Sequence, residues 1–298
     1  MCTTSSITDI FLDHLQSEKR YSAHTITSYR HDLGQFEDYI KLNYNRSSLE
    51  VEKHFYIREW VASLSEQNFS ARTINRKIAC LKSFYKFLQR RSLIEKNPMQ
   101  QVVSLKSGKT IPVFVTEESI AQILDHFSYT DDFPGTRDKL VIELLYGTGI
   151  RLAELVNTKD CDINLYEKLI KITGKGNKER FIPLNKSLAE LIKLYSSQKT
   201  LLLQNESKSF IVTDNGKAVY PGFIYRLVKK YLSMIPVLEK TSPHVLRHTF
   251  ATHLLNKGAD LNAIKDLLGH SSLAATQVYT HNSLDKIKAI FDQAHPKA

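Results

Sequence analysis

Apolar residues in the first hundred positions recur at the spacing of an α-helix. Two segments each place five apolar side chains on a single face. The sets are Ile26, Tyr29, Leu33, Phe36 and Ile40 in the first segment, and Ile74, Ile78, Leu81, Tyr85 and Leu88 in the second. Shorter patterns of the same period occupy residues 7–15 and 56–64, with almost no strand signal. This half of the chain therefore predicts a small bundle of helices.

The second half mixes helical patterns with one pair of strands. Thr116-Glu117-Glu118 has the capping residue and first-turn acids that are typical of a helix N-terminus. Residues 169–173 and 180–184 are rich in β-forming residues and flank a glycine-containing loop, which predicts a hairpin. Gly258 and Gly269 interrupt later helical patterns at places suited to C-terminal caps. The expected fold is therefore mainly α, with a small β-hairpin or sheet.

A stretch without sustained periodicity separates the two halves. It follows Asn97-Pro98 and contains Lys106, Ser107, Gly108 and Lys109. Such a composition is typical of an interdomain linker. We therefore predict a helical domain at 1–101, a linker at 102–112 and an α+β domain at 113–298.

The composition indicates a globular chain with a polyanionic partner. The 298 residues are 42% hydrophobic, and the formal net charge is +10. Lys and Arg side chains that neutralise phosphates release counterions, which favours nucleic acid as the partner. A solvated basic surface without any partner would give the same composition.

Targeting signals and metal motifs are not evident. No apolar stretch approaches the roughly 18 residues that span a bilayer, so we expect no membrane partner. The first seven residues lack a signal-peptide pattern. Cys2, Cys80 and Cys161 are scattered, which argues against disulfides and zinc knuckles and favours a cytoplasmic location.

The helical pattern near 70–91 carries a basic face. No acidic residue lies between Gln67 and Ile94, and polar side chains fall opposite the apolar stripe. These side chains are Arg72, Asn75, Arg76, Lys82, Ser83, Lys86 and Arg90. Such a face suits a phosphate backbone or a major groove, although a merely solvated face is the usual fate of a charge run. In the second half, Arg226, Lys229 and Lys230 form a weaker basic helix that we also assign to DNA.

Four clusters in the second half place a cation or a hydrogen-bond donor beside a glycine or a helix end. They are Gly149-Ile150-Arg151-Leu152-Ala153-Glu154-Leu155, Gly174-Lys175-Gly176-Asn177-Lys178-Glu179-Arg180, Ser242-Pro243-His244-Val245-Leu246-Arg247-His248, and Leu268-Gly269-His270-Ser271-Ser272 followed by Tyr279. In this order, the clusters resemble those of the tyrosine recombinase (phage integrase) family, and of its Xer-like site-specific recombinases in particular. The resemblance extends over nearly the whole chain.

The resemblance implies a fold, an activity and a site. A helical core-binding domain would precede an α+β catalytic domain. The enzyme would cut and rejoin DNA at a specific site through a 3′-phosphotyrosine and a Holliday junction. Its role would be chromosome dimer resolution, or integration, excision or inversion of DNA. By position, the implied catalytic residues are Arg151, Lys175, His244, Arg247, His270 and Tyr279.

Physical chemistry supports these roles independently. Two guanidiniums, Arg151 and Arg247, suit the extra charge that a phosphodiester carries during attack. The phenol of Tyr279 must lose its proton as it attacks, since its pKa is ordinarily about 10. His244 would accept that proton or orient the phenol, and His270 would donate a hydrogen bond to a phosphate oxygen. Lys175 would protonate the leaving 5′-oxygen. Glu154, one turn after Arg151, would hold a guanidinium in place.

The resemblance and this chemistry imply partners but no cofactor. A phosphotyrosine conserves the bond energy of the cut strand, so neither ATP nor a metal is expected, and Gly174-Lys175 does not match a phosphate-binding loop. His244 and His248 are spaced like the two zinc ligands of a metalloprotease helix, but Arg247 lies between them where such a helix carries a glutamate. This pair is therefore not expected to bind a metal ion. The implied partners are a double-stranded DNA site, a homo- or hetero-tetramer on DNA that includes a paralogous recombinase in the second case, and an activating DNA translocase.

Four alternatives stay open, two for the function and two for single residues. A topoisomerase of type IB would use the same chemistry without a defined site, and a DNA-binding regulator would use the scaffold without catalysis. At the level of single residues, Tyr279 would suit a core position with its hydroxyl satisfied. In the same way, His270 directly after Gly269 would suit a helix cap.

Overall fold

The computed structural model describes residues 6–46, 54–106, 108, 114–203, 207–236, 238, 240–269 and 291. The chain divides into two compact units, Met1–Thr110 and Ile111–Ala298. Among the described residues, no helix is long and apolar enough to cross a bilayer.

The first unit is a helical bundle of α1 (Ile7–Ser17), α2 (Ala23–Tyr44), α3 (His54–Glu66) and α4 (Ala71–Arg90), followed by a 3₁₀ turn at Pro98–Gln101. A serine begins three of these helices, and its hydroxyl accepts a hydrogen bond from a first-turn backbone N–H. The buried faces supply the core, which includes Phe11, Phe36, Trp60 and Tyr85. The predicted bundle is confirmed.

Part of the predicted linker packs on this unit. Val102 is buried in its core, and the Asn75 amide pairs with the backbone of Leu105. The Asn75 Nδ2 donates to the carbonyl at 2.9 Å, and its Oδ1 accepts from the N–H at 2.8 Å. An extended segment that is held by backbone hydrogen bonds has no helical period, so the sequence pattern did not reveal it. The limits of the predicted linker, 102–112, stay a prediction.

The second unit surrounds one buried helix. Its elements are α5 (Glu117–Ala121), a π-helical turn (Gln122–His126), α6 (Phe133–Thr148), α7 (Leu152–Asn157), β1 (Ile163–Asn164), β2 (Leu169–Thr173), β3 (Glu179–Pro183), α8 (Lys186–Leu203), α9 (Pro221–Leu232), α10 (Pro243–Asn256) and α11 (Leu261–Leu268). In α6, every side chain except those of Pro134 and Lys139 is buried. Helices α8, α9 and α10 pack against it.

Two buried charged residues of α6, Arg137 and Asp138, are paired. The Arg137 guanidinium donates to the Asp138 carboxylate at 2.8 Å and also contacts Asp214. The Tyr231 hydroxyl donates to the same Asp138 carboxylate at 3.0 Å. These contacts satisfy ions that would otherwise be costly to bury.

The three strands form one antiparallel sheet in the order β1-β2-β3. Ile172 of β2 lies opposite Arg180 of β3, and the backbone N–H of Gly174 donates to the Lys178 carbonyl at 2.7 Å to close the loop. The predicted hairpin is confirmed. The sheet adds β1, whose two residues are too few for an alternating pattern to show.

Gly149 ends α6 in the left-handed conformation, with φ of 63°. A Cβ atom at this position would lie 2.5 Å from Phe250 and 2.7 Å from Leu268. Two costs therefore oppose any side chain: the left-handed backbone and the lack of space. Gly258 also has a positive φ, of 84°, but a Cβ there would meet nothing within 4 Å.

We expect Gly149→Ala to lower the free energy of unfolding by about 2–5 kcal/mol, because both costs apply. Gly258→Ala is the matched control, and the backbone cost alone should lower its stability by about 1–2 kcal/mol. Urea unfolding of the two variants measures both changes. Equal changes would contradict the packing argument.

Candidate functional site

Three arginines from three different elements bind the C-terminal end of α11. Arg180 Nε donates to the Leu267 carbonyl at 2.8 Å, and Arg247 Nη2 donates to the Leu268 carbonyl at 2.7 Å. Arg151 Nη2 donates to the Gly269 carbonyl at 3.2 Å. The last carbonyls of a helix lack intrahelical partners and carry the negative end of its dipole, so they attract cations. Three consecutive carbonyls thus bring the three guanidiniums together.

The carboxylate of Glu154 lies between two of these arginines. Its Oε1 accepts from Arg151 Nη1 at 2.9 Å and from Arg180 Nη1 at 3.1 Å. Its Oε2 accepts from Arg180 Nη2 at 2.7 Å and from the backbone N–H of Arg151 at 2.8 Å. The bond to the backbone N–H caps the first turn of α7, where an acid also meets the positive end of the helix dipole.

Glu154 is ionised although it is only 6% exposed. Burial alone would raise the pKa of its carboxyl, but the hydrogen bonds from Arg180 and Arg151 outweigh burial and lower that pKa. Arg151 differs from its neighbours, because its side chain is 37% exposed. One side of its guanidinium is therefore open to solvent, while the other side is bound to the buried carboxylate of Glu154.

Arg247 is the most enclosed of the predicted site residues that the structure describes with a side chain, apart from Glu154. It is 8% exposed, and besides its bond to Leu268 its Nη1 donates to the Gly149 carbonyl at 2.6 Å. Burial, together with the nearby charge of Arg151, lowers the pKa of Arg247 to about 10. The guanidinium therefore stays protonated at neutral pH. Three guanidiniums and one carboxylate leave an excess of positive charge, which suits an anion.

The remaining predicted catalytic residues are placed less completely. His244 lies in the first turn of α10, one turn before Arg247, with an exposed side chain. The backbone of Lys175 belongs to a 3₁₀ turn, Lys175–Asn177, at the tip of the hairpin, and its side chain is not among the described ones. His270 and Tyr279 fall outside the described residues. The structure therefore brings together Arg151, Glu154 and Arg247.

Sequence reasoning missed Arg180 as a residue of this site. The β-rich run at 180–184 predicts a strand, and strand alternation puts residues 180 and 182 on the same, inward face of β3. A cation at an inward position needs a buried partner. That signal is present in the sequence, whereas the identity of the partner, Glu154, is not.

The predicted DNA-binding residues of α4 divide into two groups. Arg72, Lys82 and Lys86 are exposed and have no acid beside them in the sequence. Arg76 contacts the buried carboxylate of Asp32, which also accepts from Lys77 Nζ at 2.9 Å. Asn75 is half-buried and its amide is engaged with the backbone of Leu105, and its contact with DNA stays a prediction.

The second basic helix is α9, where Arg226, Lys229 and Lys230 are all exposed. Arg226 Nη2 donates to the Tyr220 hydroxyl at 2.6 Å, and its guanidinium lies 5.5 Å from the centre of that ring. Over the described part of the chain, no three His, Cys, Asp or Glu side chains are grouped as a metal ion would require.

Family models match both units. The model described as "Phage integrase family" matches residues 113–285, and the model described as "Phage integrase, N-terminal SAM-like domain" matches residues 8–92. The first of these covers the described arginine cluster, and the second covers the helical bundle.

Curated relatives and solved structures agree with these matches. Tyrosine recombinase XerC of Chlorobaculum parvum is 37% identical over an alignment that covers 97% of this chain and 94% of the relative. Tyrosine recombinase XerC of Bacillus subtilis is 36% identical over 297 residues, which cover 97% and 96%. The crystal structure of XerH site-specific recombinase bound to a palindromic difH substrate has a TM-score of 0.73 at 22% identity, over 97% of this chain and 84% of that chain. On the match to more than half of its length and on these relatives, the chain belongs to the phage integrase family of tyrosine recombinases.

Proposed function

We propose that this protein is a site-specific DNA recombinase, which breaks and rejoins DNA through a covalent phosphotyrosine. The observation that carries the proposal is the meeting of Arg151 and Arg247 at one helix end. A phosphodiester under attack gains negative charge on its non-bridging oxygens, and fixed guanidiniums stabilise that charge best. Family membership supplies the reaction class, since relatives at 37% and 36% identity are named tyrosine recombinases.

We name the guanidiniums of Arg151 and Arg247 the phosphate clamp. Arg151 is tied to Glu154 and Gly269, and Arg247 to Gly149 and Leu268. These contacts orient both side chains without any ligand, so little reorganisation is needed when a phosphate arrives. Arg151 would meet the phosphate from its exposed side.

The proposed chemistry is a transesterification. The Tyr279 oxygen forms a bond to phosphorus, the bond from phosphorus to the 5′-oxygen breaks, and the cut strand is left with a 3′-phosphotyrosine. Lys175 gives a proton to the leaving 5′-oxygen, while His244 orients the nucleophile or accepts its proton. His270 donates to a phosphate oxygen. A 5′-hydroxyl reverses the step, which consumes neither ATP nor a metal ion.

The basic faces of both units give the proposed DNA contacts. They are Arg72, Asn75, Arg76, Lys82 and Lys86 on α4, and Arg226, Lys229 and Lys230 on α9. Phosphate contacts of this kind position a protein on a duplex but do not read its sequence.

The proposed assembly is a tetramer on DNA, formed by this chain alone or with a paralogous recombinase, and activated by a DNA translocase. XerH site-specific recombinase is bound to a palindromic difH substrate in its structure, and the Tn1549 transposon integrase is in complex with circular intermediate DNA. Both structures support a DNA site as the partner of this chain. The proposed roles are chromosome dimer resolution or movement of DNA segments, in the cytoplasm.

The test uses the full chain and duplexes that the chain itself selects from a randomised library. Each selected duplex is nicked at successive positions, incubated with protein and denatured, and covalent adducts are mapped by mass spectrometry. We expect an adduct at the peptide that contains Tyr279. Absence of any adduct from every nicked duplex would overturn the proposed function. Relaxation of supercoiled plasmids without a selected site would instead favour the topoisomerase.

We expect Lys82→Ala combined with Lys86→Ala to weaken binding to all duplexes alike, because exposed lysines bind phosphates rather than base edges. The dependence of log affinity on log salt should become shallower by about 0.9 for each phosphate that the variant no longer neutralises. Lys41→Ala, an exposed lysine of α2 in the same unit, is the matched control. A salt dependence that equals that of the wild type would remove α4 from the DNA interface.

A further inference from the structure

We propose that Arg180 is a positioning residue that sets the geometry and the charge of the phosphate clamp. The inference rests on the proposed function and deepens it, because it assigns a role to a residue outside the catalytic set that the family resemblance implies. Arg180 is only 5% exposed. It therefore acts through its neighbours and does not touch the DNA.

All three nitrogens of the Arg180 guanidinium bind protein acceptors. Nη1 and Nη2 grip the two oxygens of Glu154 at 3.1 Å and 2.7 Å, and Nε donates to the Leu267 carbonyl at 2.8 Å. A planar fork matches a carboxylate in this way, and a lysine ammonium cannot reproduce it. Arg180 thus joins β3 to both α7 and the end of α11.

The first effect of Arg180 concerns charge. Each Glu154 oxygen is shared between Arg180 and Arg151, through either the side chain or the backbone N–H of Arg151. With Arg180 in place, its charge balances that of Glu154, and the charge of Arg151 is left for a phosphate. Without Arg180, the buried carboxylate would be balanced by Arg151 alone. Arg151 would then stabilise less well the extra negative charge that a phosphate gains during attack.

The second effect concerns the end of α11. Arg180 binds the carbonyl of Leu267, and the next carbonyl, of Leu268, accepts from the clamp residue Arg247. Gly269 permits this close approach, since a Cβ atom there would lie 3.1 Å from Arg180 Nη1 and 3.3 Å from its Cζ. Arg180 therefore holds the helix end whose following carbonyls bind both clamp arginines.

The third effect concerns the hairpin. Arg180 is the second residue of β3, and it follows the loop that begins at Gly174 and carries Lys175. The bond from Arg180 to Glu154 therefore fixes the base of this loop relative to the clamp. The proposed proton donor and the proposed clamp are thus attached to one another through a single buried side chain.

The test compares Arg180→Ala, Arg180→Lys, Glu154→Gln and the double variant of Arg180→Ala with Glu154→Gln. Lys171→Ala is the matched control, because Lys171 is a hairpin cation that pairs with Asp162 and Glu179 instead of Glu154. Each full-length protein is mixed with a nicked duplex on which the wild type forms its adduct, at saturating DNA. The rate constant and the final amplitude of adduct formation are both measured. The amplitude counts competent molecules, while the rate constant reports on the site.

We expect Arg180→Ala to lower the rate constant on the order of 10–100-fold, by analogy with removing the outer-shell partners that orient the ligands of metal sites. The amplitude and the DNA affinity should be retained. Arg180→Lys should be intermediate, since it keeps the charge but loses the fork. The double variant should be faster than Arg180→Ala alone, because it removes the carboxylate charge that Arg180 had balanced.

Three results would overturn the inference. They are a wild-type rate constant in Arg180→Lys or Arg180→Ala, an effect confined to amplitude or to DNA affinity, and a double variant no faster than Arg180→Ala. Should Arg180→Ala fail to fold, Arg180→Lys still decides, because its buried charge is kept. Failure of the proposed function looks different, since the wild type would then form no adduct at all.

Discussion

Tyr279→Phe is expected to abolish the covalent adduct between the protein and its DNA. Phenylalanine lacks the oxygen that must bond to phosphorus, so no phosphotyrosine can form. Binding of DNA should be unchanged, because the phosphate clamp and the basic faces are intact. Denaturing electrophoresis of the reaction with a nicked duplex measures the adduct, and a gel shift measures binding.

Tyr166→Phe is the matched control for this substitution, since the Tyr166 side chain is 97% exposed and lies far along the chain from Tyr279. It should form the adduct at the wild-type rate. An undiminished adduct in Tyr279→Phe would remove the nucleophile assignment. Cellular function of the wild-type kind in Tyr279→Phe would favour the non-catalytic regulator instead.

Arg151→Ala is expected to lower the single-turnover rate constant of cleavage on the order of 10²-fold or more, the usual effect of deleting a preorganised donor at the charge that develops in a transition state. Arg151 is more than one-third exposed, so the fraction of folded protein should fall little. Arg30→Ala is the matched control, because Arg30 is also exposed and paired with a carboxylate, that of Asp9.

Arg247→Ala should show the same decrease in rate together with lower stability. It leaves the carbonyls of Gly149 and Leu268 without their arginine donor, which costs about 1–3 kcal/mol for each group left unsatisfied. A normal cleavage rate in either arginine variant would contradict the phosphate clamp.

Local sequence patterns predicted the helices and strands that bury one face and expose the other. The apolar stripes of α2 and α4 and the left-handed cap at Gly269 follow rules that span only a few residues. Helix α6 is different, because it is buried on almost every side and therefore has no polar face to give it a period. The sequence pattern therefore did not give the length of α6, and only the folded structure shows it.

The parts of the site that escaped prediction depend on contacts between distant residues. Arg180 reaches Glu154, which is 26 residues away in the chain, and Leu267, which is 87 residues away. Asn75 reaches the backbone of Leu105 across 30 residues. No periodicity encodes such pairs. The motifs supplied Arg151, Arg247 and the acid Glu154 that holds a guanidinium. Only the folded chain supplied Arg180 and the backbone carbonyls that the arginines bind.

The dependence of three guanidiniums on consecutive carbonyls makes the length of α11 critical. An α-helix turns by about 100° for each residue, so one residue inserted between Asp260 and Leu268 would rotate its final turn by that angle. The acceptors of Arg180, Arg247 and Arg151 would all be withdrawn together. Helix α11 contributes no side chain to the proposed chemistry. Its length nevertheless sets the positions of the three carbonyls, so an insertion or deletion in this helix would disrupt the whole arginine cluster.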